Sequence, residues 1–260
     1  MYARTNGSNS RSKFKTTRLV GLFCAAAMLL VSCTSFSSQT DNPQRIKPTG
    51  NPAVDRQAQA FQNVRLWGKA YDADGNNIIN IIGYAKALSG IGSEGRAIKV
   101  LEDGAAKYPK DAGIMRTHAK ILSKQGLIGP ALRKMQAALK HAPNEWRLYN
   151  DIGELHSKMG EQSLAIDAFK RALKLDPNNP NIHTNMGVTY MFNKQLILAE
   201  KHLNIAVSHP NATAKMRQNY AFTLGLQGKY KAARKMFLQD LTLKQVNSNI
   251  AQLKAINGDK

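Results

Sequence analysis

Two ladders of small residues, both with a period of 34, constrain this chain more than any other feature. Ala97, Ala131, Ala165, Ala199 and Ala233 form one; Ala85, Ala119, Gly153, Gly187 and Ala221 form the other. A fixed period in this range marks one supersecondary unit repeated in tandem, each copy unable to bury its apolar face alone and stacking on the next. Chance does not keep two ladders in register, so the chain is mainly a scaffold.

The other slots of the period define the unit as two antiparallel helices. Gly92, Gly126, Gly160 and Gly228 fall where a tight turn must break the helix, and Lys194 alone interrupts that series. Pro109, Pro143, Pro177 and Pro210 close the second helix of a unit, because proline lacks the amide that would continue the ladder. The fold class expected is therefore all-α, a superhelix of about five helix-turn-helix units.

This pattern resembles the tetratricopeptide repeat. Residues 146–179 carry the resemblance best, with Tyr149, Ile152, Gly153, Ala165, Phe169, Ala172 and Pro177 in the signature slots. Residues 112–145 follow with Met115, Ala119, Ala131, Met135, Ala138 and Pro143; residues 78–111 have Ile81, Ala85, Ala97 and Leu101, but Gly104 where alanine is usual. The fifth copy departs most, with Arg217 in place of a large apolar residue and Asp240 in place of alanine. Repeats are thus expected over 78–240. An N-terminal capping helix and its turn occupy 54–77, and a C-terminal capping helix with Val246, Ile250, Leu253 and Ile256 at helical spacing occupies 241–260.

The N-terminus is the second informative feature. Arg4, Arg11, Lys13, Lys15 and Arg18 precede an apolar run from Leu19 to Leu30, with no acidic residue before Cys33. Residues 1–32 read as a removed secretory signal. Leu30, Val31, Ser32 and Cys33 resemble the bacterial lipobox, which implies lipid on Cys33; an ordinary cleaved signal with an incidental cysteine is the alternative. Each acyl methylene buried in a bilayer contributes about 0.8 kcal/mol, so a multiply acylated Cys33 is a durable anchor. Cys24, the other cysteine, lies within the removed run and leaves no thiol for a disulfide or metal cluster. Thr34 follows the anchor where aspartate, in lipoprotein families, retains proteins at the inner membrane. The expectation is an outer-membrane anchor facing the periplasm of a Gram-negative cell, with 33–53 as a polar flexible tether.

Net charge is +20, and past the signal 32 basic residues stand against 17 acidic ones. An exported lipoprotein does not meet nucleic acid, so an acidic protein partner or anionic headgroups fit better, against the plain alternative of a solvated basic surface. In a superhelix of paired helices the first helix of each unit lines the concave face. That register places Lys86, Arg116, Lys120, Lys124, Asn150 and Lys158 along a basic stretch of the groove. Thr184, Asn185, Met191, Phe192, Gln218 and Asn219 follow in an apolar, amide-rich stretch. Such a groove suits a segment with acidic and apolar anchors. The chaperone-binding carboxylate clamp is only partly met. The six histidines form no HExxH pair and no glycine-rich phosphate loop occurs, so no catalytic residue, metal, cofactor or small-molecule substrate is expected.

Beyond the generic repeat, the chain resembles the TadD lipoproteins of tight-adherence (Flp) pilus assembly. Four stretches carry the likeness: Asp74, Gly75 and Asn76 leading into Tyr84, Ala85, Ala87 and Leu88; Trp146, Arg147 and Leu148 with Gly153 and Gly160; Asn185, Gly187 and Tyr190; and Arg217 to Gly228 ahead of Asp240 and Leu241. The last is the most specific. The resemblance implies a pilotin-like factor whose partner is the secretin or another pilus component. Lipoproteins like NlpI, which scaffold cell-wall hydrolases, and the type IV pilus pilotins share anchor, tether and superhelix and stay open as alternatives. Independently of these, the ladder predicts that Ala165→Leu overpacks a helix contact and costs about 1–3 kcal/mol; an unchanged melting temperature would refute the register.

Overall fold

The computed structural model describes residues 49–259, and these are helical throughout, with no strand among them. Residues 1–32, Cys33 and nearly all of the tether lie outside the described residues. The helices are α1 (Pro52–Ala73), α2 (Ile78–Gly90), α3 (Glu94–Lys107), α4 (Ala112–Lys124), α5 (Ile128–His141) and α6 (Trp146–Lys158). They continue as α7 (Gln162–Leu175), α8 (Pro180–Phe192), α9 (Leu196–Ser208), α10 (Ala214–Leu226), α11 (Tyr230–Phe237) and α12 (Leu243–Asn257). Helices α2 to α11 pair into five hairpins, and each hairpin packs on the next, as α3 on α4 and α5 on α6. Ile46–Lys260 is a compact unit holding all four apolar clusters.

Small residues set the spacing inside each hairpin. A Cβ on Gly153 would stand 2.5 Å from the Phe169 ring, so glycine is what lets a fully buried phenylalanine of α7 lie against the backbone of α6. Gly104, off-pattern in sequence, has the same cause: the Ile81 methyl occupies the space of its absent Cβ, at 2.7 Å. Ala97, Ala131, Ala165, Ala199 and Ala233 are completely buried.

The two kinds of helix start differently. Asn77, Asp111, Glu145, Asn179 and Thr213 cap the first helices with side-chain oxygens, whereas the second helices have no side-chain cap. Second helices instead begin from a tight turn in which an amide past the first helix returns to a carbonyl near its end, as Glu161 N–H does to His156 O. That turn needs one left-handed residue. Gly92, Gly126, Gly160 and Gly228 supply it with φ between 74° and 80°, and Lys194 adopts the same conformation at φ 58°.

The ends differ in detail from the sequence expectation. Helix α1 starts at Pro52, two residues before Val54, because Asn51 caps it and proline suits the first helical turn. Along α12, Val246 and Leu253 are buried and Ile250 half-buried, but Ile256 is 63% exposed. Asn257, itself exposed, ties down the end of the helix by donating to Gly225 O and Tyr230 Oη. At Lys194, replacement by glycine relieves left-handed strain but adds freedom to the unfolded chain. The net expectation for Lys194→Gly is a gain of about 0.5–1 kcal/mol, read as a higher urea midpoint at unchanged slope.

Candidate protein-binding groove

First helices one period apart lie side by side, so a residue on one meets a residue roughly 34 positions later on the next. Most polar groups of the groove are joined in this way. Arg116 and Lys120 of α4 both pair with Asp151 of α6, at 2.5 and 3.4 Å, and the Asp151 side chain is only 4% exposed. Lys124 donates to Ser89 O and to Glu94, and Lys158 donates to Ser123 Oγ at 2.9 Å. Asn185 of α8 donates to Asn150 Oδ1 and Glu154 Oε1 of α6, at 3.0 and 2.6 Å, and Asn150 also donates to Glu154. An ion pair of this kind adds little net stability, since both charges lose water. Its geometry nevertheless fixes how one unit sits on the next.

The structure gathers Arg116, Lys120, Asn150, Thr184 and Asn185 around one polar recess of about 330 Å³. Trp146, Asp151, Glu154, Lys215 and Met216 are also part of its wall. The Trp146 ring carries the Arg147 guanidinium at 4.6 Å. Lys124 and Lys158 lie beside it in a smaller hollow with Met135 and Leu155. The remaining sequence candidates lie elsewhere. Met191 packs in the apolar cluster around Phe169, with its sulfur accepting from Thr223; Phe192 is 68% exposed at the end of α8; Gln218 and Asn219 are half-buried on α10. Lys86 lines a separate, apolar recess between α1 and α2. Its pKa is held below the usual lysine value by desolvation, with repulsion from Arg116 and Lys120 adding to it.

Trp146, Lys215 and Met216 of that wall were not among the sequence candidates, and Asp151 and Glu154 are the groove acids that sequence reasoning missed. The signal was present in their spacing, since Asp151 follows Arg116 by one period plus one residue. Reading it required knowing that neighbouring first helices are offset by that one residue.

Residues 153–193 match the family model described as TPR repeat. Among solved structures, the chain is similar to the Cut9–Hcn1 hetero-tetramer of the APC/C, with a TM-score of 0.66 and 15% identity over 78% of this chain and 41% of that one. The chain folds as a tetratricopeptide-repeat solenoid. It is similar also to pilF of Pseudomonas aeruginosa, with a TM-score of 0.61 and 15% identity over 76% and 90% of the two chains. A thermophilic TPR protein of Thermus thermophilus gives a TM-score of 0.54 and 18% identity over 75% and 98%. At these identities the likeness is one of fold. No curated protein matches the sequence significantly. A tetratricopeptide-repeat solenoid is a protein-interaction scaffold.

Among the described residues no cluster of three or more His, Cys, Asp or Glu side chains is placed to hold a metal ion. No described helix is long and apolar enough to cross a membrane. His118 and His183 are buried in the solenoid, and His202 packs beside His183. His183 Nε2 lies 3.0 Å from Pro177 O and must donate to it, so His183 Nδ1 accepts from His202 Nδ1 at 2.9 Å. Tyr190 stacks on the His202 ring, with centroids 5.5 Å apart. Burial lowers the pKa of His202 to about 4, with repulsion from His183 and Lys201 adding to it. His118 is lowered to about 4 in the same way, with Lys134 adding repulsion. An unfolded histidine titrates near 6.5, so the unfolded chain takes these protons first. The stability owed to the two neutral rings is complete above that pH and declines as pH falls toward 4. The melting temperature is therefore expected to drop between pH 7 and pH 4, and His202→Asn, which keeps the donor to His183 without titrating, to flatten part of the drop.

Proposed function

We propose that this solenoid is an outer-membrane lipoprotein, anchored through Cys33 and facing the periplasm, whose groove holds a protein partner during assembly of Flp (tight-adherence) pili. Its role is pilotin-like assistance to the secretin. The lipobox-like residues Leu30 to Cys33 behind a basic, apolar leader support the anchor.

One observation carries the pilus reading. Arg217 and Asp240 are the two residues at which the fifth unit departs from the generic repeat, and they form a two-pronged ion pair with Nε–Oδ2 at 2.8 Å and NH2–Oδ1 at 2.5 Å. The pair ties the start of α10 to the turn between α11 and α12, and Arg217 donates in addition to Ala212 O. The departures are thus one device, and they fall in the stretch most specific to the TadD resemblance. Arg217 draws the Asp240 pKa below the usual carboxylate value by hydrogen bonding, outweighing desolvation.

Capture with the tagged native lipoprotein tests the proposal. Cross-linked envelopes should yield the secretin, and deletion of the gene should remove surface Flp pili and secretin multimers together. Recovery of cell-wall hydrolases with pili intact would replace the reading by a hydrolase adaptor. Mass spectrometry finding Cys33 without lipid would remove the anchor.

A further inference from the structure

Slots that carry polar side chains in the middle of the groove are apolar or empty in the first unit. The slot of Arg116, Asn150 and Thr184 holds Ile82; that of Arg147, Asn181 and Lys215 holds Ile79; that of Lys124 and Lys158 holds Gly90. Lys124 reaches the end of α2 only at Ser89, and a Cβ added at Gly90 would meet nothing within 4 Å. The opposite wall comes from α1, whose Trp67 ring lies against the backbone of Gly83 so closely that a Cβ there would stand 2.2 Å from it. Between them lies a recess of about 400 Å³ lined by Trp67, Ile79, Ile82, Gly83 and Lys86. Ile79 is 68% exposed on its lip.

Charge distinguishes this recess from an ordinary apolar dimple. Among the cations of α4 and α6, Arg116 and Lys120 share Asp151, Lys124 has Glu94, Arg147 has Glu145, and Lys158 has Ser123. Lys86 makes no hydrogen bond or ion pair with a described residue, and the charges that act on it, Arg116 and Lys120, are both positive. The volume falls within the range of sites that enclose a few side chains, and its two helical walls exclude a flat bilayer surface.

We propose that the recess between α1 and α2 is a docking pocket for a partner segment in which an apolar side chain is followed directly by a carboxylate. The apolar group fills the space over Trp67 and Ile82, and the carboxylate takes the ammonium of Lys86, which no acid of the described residues occupies. The inference rests on the reading of the concave face as protein-binding, and not on the identity of the partner. Helix α1 is then more than an end cap, because it supplies half of a binding wall.

Trp67 reports on the pocket directly, since Trp146 is the only other tryptophan. In a Trp146→Phe background of residues 46–260, the peptide acetyl-Gly-Ser-Leu-Phe-Asp-Glu-Gly-amide should shift Trp67 emission saturably. Lys86→Glu should weaken it by about tenfold or more, and Lys86→Arg should restore it. Gly90→Leu, which fills the recess, should also abolish the shift; far-ultraviolet circular dichroism should stay unchanged, because Lys86 and Gly90 are exposed. Equal binding of the same peptide with lysines in place of its acids, or indifference to Lys86→Glu, would overturn the proposal. A response to dodecanoate without one to the peptide would overturn it in favour of an acyl ligand. Failure here with secretin capture intact would leave the groove reading standing and remove only this pocket.

Discussion

Everything in this molecule depends on large side chains of second helices seating over small residues of first helices. Phe169 over Gly153 and Leu203 over Gly187 show the contact at its closest, where a Cβ on either glycine would fall 2.5 or 2.6 Å from the facing side chain. The approach buries the five-alanine ladder completely and fixes the angle of each hairpin. A hairpin closed in this way still has an open apolar face, and only the next hairpin covers it. Stability is therefore a chain of neighbour terms, and both ends need special treatment. Helix α1 and helix α12 provide it, the latter with Leu253 seated over Gly225.

The groove inherits its chemistry from that stacking. Its cations reach backward or forward by one unit to an acid, a carbonyl or a hydroxyl, so much of its formal charge is spent in holding units in register. The Asp151 carboxylate, buried and shared by Arg116 and Lys120, is the clearest case. What remains open to a partner is uneven: a polar recess in the middle, and an apolar one at the start edged by the Lys86 ammonium. A single acidic or single apolar ligand would use only part of this surface, and a longer segment could use both.

Legibility followed the range of the interaction. The hairpin turns, the proline stops and the second-helix alanines were visible because each depends on backbone angles or on packing within one unit. Lys194 illustrates it: the period marked the slot, and the chain adopts the left-handed angle there despite its side chain. Gly104 was visible as an irregularity without its reason, which lies in Ile81 on the facing helix. The groove lysines were legible as a row, but their partners were not. Whether a lysine faces solvent or the neighbouring unit depends on the rotation between units, and no local periodicity encodes that angle.

Sequence alone determined the repeat and the number of its units, because a side-chain period and a turn are local physical facts. It also marked Arg217 and Asp240 as departures from the repeat. Tertiary structure decided that those two residues are one ion pair, that His183 and His202 are joined by a hydrogen bond, and that α1 walls a pocket with α2. These are contacts between side chains on different helices, and their geometry exists nowhere in the chain until those helices have packed.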